Sequence, residues 1–160
     1  MILALTTHHN TLRRLYITVE TYNGSLSFVT SFKNLQELVI STLRFNILDE
    51  LHATFSNLQI LKIPHGKIYE EVFIKFLGNN GRNLIKLKIL VLSTDGKLSI
   101  PRFCPNLKRF YTVFRRDELD TLKIIFDGFQ GLESFRVWCG QNYDYLSEKE
   151  MLKVVTKKLS

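Results

Sequence analysis

Proline and cysteine are scarce in this chain, and no long apolar run occurs in it. Three prolines and eight glycines in 160 residues exclude a collagen-like or low-complexity chain, which needs these residues in bulk. The two cysteines, Cys104 and Cys139, are too few for a disulfide framework and fit no zinc-ligand spacing. They point to a reduced compartment, cytoplasm or nucleus, and read as core or turn thiols, since free cysteine is usually buried. His8, His9, His52 and His65 are scattered, with no i, i+4 pair beside an acid, so no metal is expected. No stretch approaches the ~20 apolar residues of a membrane span. The start Met1-Ile2-Leu3-Ala4-Leu5-Thr6 has neither the basic residues nor the apolar length of a secretory signal. The expectation is a soluble protein with no membrane partner and no cofactor.

Catalytic signatures are also missing. Gly78-Asn79-Asn80-Gly81 lacks the Lys-Ser or Lys-Thr of a phosphate loop and reads as the end of a helix. Asp117-Glu118 reads as the acidic opening of a helix, where negative charge suits the dipole. No spacing sets a nucleophile beside a base, and the chain is read as a non-enzyme.

What is present is a core and a repeat. Hydrophobic residues make up 45% of the chain and charged residues 23%, which excludes wholesale disorder. The formal charge of +7 favours acidic partners. A Leu-x-x-Leu-x-Leu pattern, with Ile, Val, Phe or one Thr allowed, begins at Leu12, Leu35, Leu58, Leu84, Leu107 and Leu132. The separations are 23, 23, 26, 23 and 25 residues, all inside the roughly 20–29 of leucine-rich repeats. Asn34, Asn57, Asn83 and Asn106 each precede a leading leucine. A rival frame at Leu87 breaks the spacing, so Leu84 is preferred.

Each pattern predicts a short strand whose alternate side chains share one face. Leu15 and Ile17, Leu38 and Ile40, and Leu61 and Ile63 point inward. One such unit cannot bury its own apolar face, so neighbours must stack. The predicted fold is an α/β leucine-rich-repeat solenoid of about six repeats. A curved parallel sheet lines its concave face, and helices and loops cover the convex face. Residues 1–160 form a single domain of this kind, expected to be cut at both ends.

Helical periodicity runs over Asn46–Phe55, Tyr69–Leu77, Glu118–Phe126 and Ser147–Val155, with Ser147 and Glu150 spaced as a capping box. Thr21–Ser25 reads as a turn before a short strand. Residues 93–97 and 101–105 read as too broken for a long helix. The standard repeat places an Asn or Cys just after the strand. The matching positions here are Glu20, Leu43, Gly66, Leu92, Arg115 and Gly140, so the turns must be held in another way.

The strand residues between the buried ones face the concave surface. Six of those eighteen positions are Lys or Arg and one is acidic. The candidate partner-binding residues are Arg14, Tyr16, Lys62, Lys86, Lys88, Arg109, Tyr111, Arg136 and Trp138. Arg, Tyr and Trp dominate interaction hot spots, and a basic aromatic groove suits an acidic protein segment. The alternatives are a nucleic-acid binder, a non-functional fragment, or surface lysines and arginines that merely solubilise.

Several segments resemble the leucine-rich-repeat regions of fungal F-box proteins. They are Lys75-Phe76-Leu77-Gly78-Asn79-Asn80-Gly81-Arg82-Asn83-Leu84, Phe103-Cys104-Pro105-Asn106-Leu107-Lys108, 117–126, 132–140 and Tyr145–Glu150. The resemblance implies a substrate-recognition region of a ubiquitin ligase, with an unidentified acidic protein as substrate. Docking on the cullin-ligase adaptor is implied only for a longer parent chain, because no F-box segment is found here.

Overall fold

The computed structural model describes residues 7–19, 25–42, 53–66, 68–139 and 144–159. Six strands form one parallel sheet in the order in which they occur: β1 Arg14–Val19, β2 Glu37–Thr42, β3 Ile60–His65, β4 Lys86–Ile89, β5 Arg109–Val113 and β6 Ser134–Trp138. Among the described residues four α-helices follow the later strands, namely α1 Glu70–Asn80, α2 Thr94–Phe103, α3 Leu119–Gly128 and α4 Glu148–Leu159. The fold is mixed α/β and compatible with a solenoid-like stack.

The strand register follows from the alternation. Leu15 pairs with Leu38, Leu38 with Leu61, Leu61 with Leu87, Leu87 with Phe110 and Phe110 with Phe135. From Leu38 to Phe110 every member of this row is fully buried. Leu35, Leu58, Leu84 and Leu107 form a second buried row. Since side chains alternate along a strand, a slip of one residue would expose the whole set. The frame at Leu84 is the one used, because it places Leu87 beside Leu61.

One edge of the sheet is held by a repeated hydrogen-bond seam. Four of the six leading leucines donate their N–H to the carbonyl three residues back: Leu35 to Phe32, Leu58 to Phe55, Leu84 to Gly81 and Leu107 to Cys104. The asparagine inside each turn reaches the neighbouring turn. The Nδ2 groups of Asn34, Asn57, Asn83 and Asn106 donate to the carbonyls of Asn10, Lys33, Ser56 and Arg82 at 2.6, 3.5, 2.7 and 2.9 Å. These bonds are exposed and tie each turn to the one before it. The ladder lies before the strands, so it holds those turns and not the ones that follow the strands.

The seam stops at Gly131, where a Cβ would meet nothing within 4 Å. Gly131→Asn should extend it to the Pro105 carbonyl, the equivalent acceptor. Stability should rise by about 1 kcal/mol, read as a higher urea midpoint at unchanged slope. A fall in the midpoint would show that the register does not reach this turn.

The return segments differ from expectation in three places. Residues 94–103 form α2, where a broken segment was predicted. Ser93 caps it by accepting from the Gly96 N–H at 3.1 Å, and Pro101 sits within its last turn. Its buried face contains Gly96, Lys97 and Ile100, and a glycine and a lysine conceal an inward face from any apolar pattern. Second, α1 runs past the predicted 69–77 periodicity, through Gly78 to Asn80, and stops at Gly81, the last residue of the predicted 78–81 stop. A Cβ at Gly81 would sit 2.7 Å from the Phe103 carbonyl oxygen, so the chain needs glycine there for close approach. Third, residues 27–31 form a 3₁₀ turn, not a strand. Ser25, Thr30 and Ser31 hydroxyls bond neighbouring backbone groups there, which favours a turn over a ladder. Most of the predicted helix at 46–55 and most of the turn at 21–25 lie outside the described residues.

The predicted starts of the last two helices agree with the structure, at Leu119 and Glu148, but the helices run on to Gly128 and Leu159. Ser147 and Glu150 exchange bonds as a capping box at α4. One core position is mismatched: Thr112 is fully buried and its hydroxyl has no hydrogen-bond partner. Thr112→Val should raise stability by about 1–2 kcal/mol by removing an unpaired buried hydroxyl. An unchanged or lower melting temperature would contradict it.

Candidate partner-binding surface

The strand register sorts the outward residues into two rows across the sheet. Arg14, Glu37, Ile60, Lys86, Arg109 and Ser134 are neighbours in the first. Tyr16, Val39, Lys62, Lys88, Tyr111 and Arg136 are neighbours in the second. Trp138 ends β6 opposite Val113. All nine predicted residues therefore lie on one face, and apart from Glu37 every residue of the two rows is at least partly exposed.

Charge is not spread evenly along these rows. At the β1–β3 end, the largely buried Glu37 accepts a hydrogen bond from Lys62 Nζ at 2.6 Å. Burial pushes the Glu37 carboxyl up, but the Lys62 and Tyr16 side chains and the Arg14 charge outweigh it and hold it below the usual range. Lys62 is thus neutralised by a carboxylate, which Arg14 faces from the next strand. Lys86, Lys88, Arg109 and Arg136 have no ion-pair partner among the described residues. Lys86 and Arg109 stand directly opposite each other, an arrangement that is destabilising for like charges. Burial first, then the charges of Lys62, Arg109 and Arg136, push the Lys86 ammonium below its ordinary pKa, with Glu37 opposing. Lys88 lies 4.9 Å from the centre of the Tyr111 ring, a cation–π contact. Lys62, Lys86, Lys88, Arg109, Tyr111 and Arg136 border a depression of about 830 Å³.

A second cavity of about 830 Å³ opens at the carboxyl ends of the strands. Its walls include Tyr69, Val91, Tyr111, Trp138 and Tyr145, and the Trp138 and Tyr145 rings meet edge to face at 4.9 Å. Lys97 and Glu118 also line it. They form a buried ion pair at 2.6 Å, their side chains 3% and 4% exposed. Glu118 further accepts from the Thr94 hydroxyl and the Arg115 N–H, both at 2.8 Å. Burial pushes its carboxyl up, but these three donors outweigh it and hold it below the usual range. The Lys97 ammonium also sits 5.0 Å from the Phe114 ring centre. Sequence reasoning read Glu118 as part of the acidic opening of a helix and passed over Lys97. The one signal available was a lysine placed where α2 needs an inward residue.

Cys104 is fully buried in the turn before Leu107, and burial pushes its thiol up to about 12, so it holds no thiolate near neutrality. His8, His9 and His65 are exposed, and His52 lies outside the described residues. Among the described residues no three His, Cys, Asp or Glu side chains gather as a metal site, and no helix is long and apolar enough to cross a membrane. No protein-family model matches the sequence, and no characterised protein is significantly similar to it.

Proposed function

We propose that this chain is a leucine-rich-repeat interaction module whose basic face holds an acidic segment of a partner protein. The carrying observation is the unneutralised cluster of Lys86, Lys88, Arg109 and Arg136 on three adjacent strands. Placing like charges on strands whose backbones lie about 4.8 Å apart raises the energy of the free protein, and an anionic partner relieves it. The stacked register of Leu38, Leu61 and Leu87 and the asparagine seam support the repeat reading. The further assignment, substrate recognition in ubiquitin ligation, rests on the resemblance to fungal F-box repeats. It is tested by translating the genomic sequence upstream of Met1 and looking for an F-box.

Lys86→Glu/Arg109→Glu tests the groove. Binding of a fluorescent poly-glutamate peptide should weaken by at least about a hundredfold, as two reversed contacts are each worth more than about tenfold. Lys108→Glu, outside the two rows, should change it little. Equal affinities for wild type and the double variant would remove the proposal. The runner-up, a nucleic-acid partner, is favoured by the same positive charge. It predicts tight, sequence-independent binding of single-stranded RNA or DNA with a steep salt slope.

A further inference from the structure

We propose that the cleft at the carboxyl ends of β4–β6 receives a tyrosine side chain carried by the acidic segment that lies on the basic rows. This deepens the groove reading and rests on it. Tyr69, Val91 and Trp138 are 50%, 50% and 46% exposed, and they are three of the six exposed large hydrophobic residues among those described. Single exposed apolar residues need no explanation, whereas a cluster marks an interaction site. Here the three line one cavity, together with Tyr111 and Tyr145.

The cleft is continuous with the basic depression, because Tyr111 and Trp138 border both. A chain following the cations of β4–β6 therefore reaches the cleft without leaving the surface. The charge pattern names the flanks of the occupant: acidic residues beside the four unpaired cations. The cleft names the anchor. Flat rings on its walls favour an aromatic side chain in stacked or edge-to-face contact. Its floor favours a hydroxyl at the tip. The Lys97 ammonium is 3% exposed and donates one hydrogen bond, to Glu118, although an ammonium has three donors. A phenol oxygen accepts one of those left over, which an aliphatic or phenylalanine side chain leaves unmet. A free carboxylate anchor is disfavoured, since Glu118 already balances Lys97.

The test uses the intact chain and short Asp/Glu peptides with one central Tyr or one central Ala. Trp138 is the single tryptophan of the sequence and borders both the depression and the cleft, so its emission reports on their junction. The Tyr peptide should bind at least about tenfold more tightly than the Ala peptide, the scale of a single buried aromatic anchor, and should shift Trp138 emission further than the Ala peptide does. Tyr69→Ser/Val91→Gln alters two exposed wall residues. It should abolish the Tyr preference while leaving affinity for the Ala peptide unchanged. Equal affinity for the two peptides, both weakened by Lys86→Glu/Arg109→Glu, would overturn the anchor and leave the groove standing. A chain that bound neither peptide at low salt would overturn both readings. A Tyr preference that survives Tyr69→Ser/Val91→Gln would place the anchor elsewhere and overturn this one.

Discussion

Lys97→Met is expected to destabilise the folded chain by about 3–5 kcal/mol, the usual cost of removing one partner of a buried ion pair. The folded state of a domain lies only about 5–15 kcal/mol below the unfolded one, so the loss is a large fraction of the total. The cause is not a lost attraction alone. With Lys97 gone, Glu118 stays buried at 4% exposure with a charge that only Thr94 and the Arg115 N–H address. Lys97→Met/Glu118→Leu should recover most of the loss, because two apolar residues of similar volume leave no buried charge. Urea unfolding of the two variants measures the difference. Additive costs would contradict the account.

Acid should narrow the gap between wild type and Lys97→Met. In wild type the Glu118 carboxyl is held below its ordinary 4.5. A group depressed on folding contributes stability that is complete above its unfolded pKa and is lost as the pH falls through the folded value. Below about 4.5 wild type therefore loses this contribution. In Lys97→Met one of the interactions that lower the Glu118 pKa is missing while burial remains, so its carboxyl protonates at higher pH and the variant is relieved earlier. A gap that is constant from pH 7 down to pH 3 would show that Glu118 is not the titrating group.

Phe110→Ala is expected to cost about 3–5 kcal/mol, whereas Tyr111→Ala, one residue on, should cost less than about 1 kcal/mol. The contrast comes from the two-residue period of a strand. Phe110 points inward, is 1% exposed, and its ring lies 5.6 Å from Phe135 and 6.0 Å from Phe129. Removing it leaves a cavity between two stacked units that neither can fill alone. Tyr111 points to the outward face beside Lys88, so its removal should weaken partner binding instead. Thermal unfolding and peptide binding on both variants separate the effects. A Tyr111→Ala protein that melted as early as Phe110→Ala would show that the two faces are wrongly assigned.

The strands were legible in the sequence because two periods coincide in them. The alternation within Leu15-Tyr16-Ile17 sets the inward face, and the recurrence of the pattern roughly every 24 residues sets the neighbours. The outward rows follow from the same alternation, so all nine candidate residues fall on one face. The helix over residues 94–103 was not legible, because its inward positions include Gly96 and Lys97 and apolar periodicity cannot see a lysine that is buried through an ion pair. The seam was half legible: the repeated asparagine is plain, but its action on a neighbouring turn is a contact between residues about 24 apart. The charge balance was hidden for a similar reason. Glu37 neutralises Lys62 from the next strand, which leaves the positive excess on β4–β6. The aromatic cleft draws on Tyr69, Val91, Trp138 and Tyr145, which no local pattern connects.

The helical backing of the later strands has a mechanical consequence. Among the described residues α1, α2 and α3 stand side by side behind them. Packed helices keep their axes about 8–10 Å apart, but strands sit about 4.8 Å apart. Three such units are wedges, wide at the back and narrow in front, and wedges set in a row close like the stones of an arch. Such wedging brings the outward side chains of neighbouring strands towards one another, and those of β4–β6 include Lys88, Arg109 and Arg136. Bending this face further would crowd like charges, so their repulsion resists the curvature that the helices behind them favour.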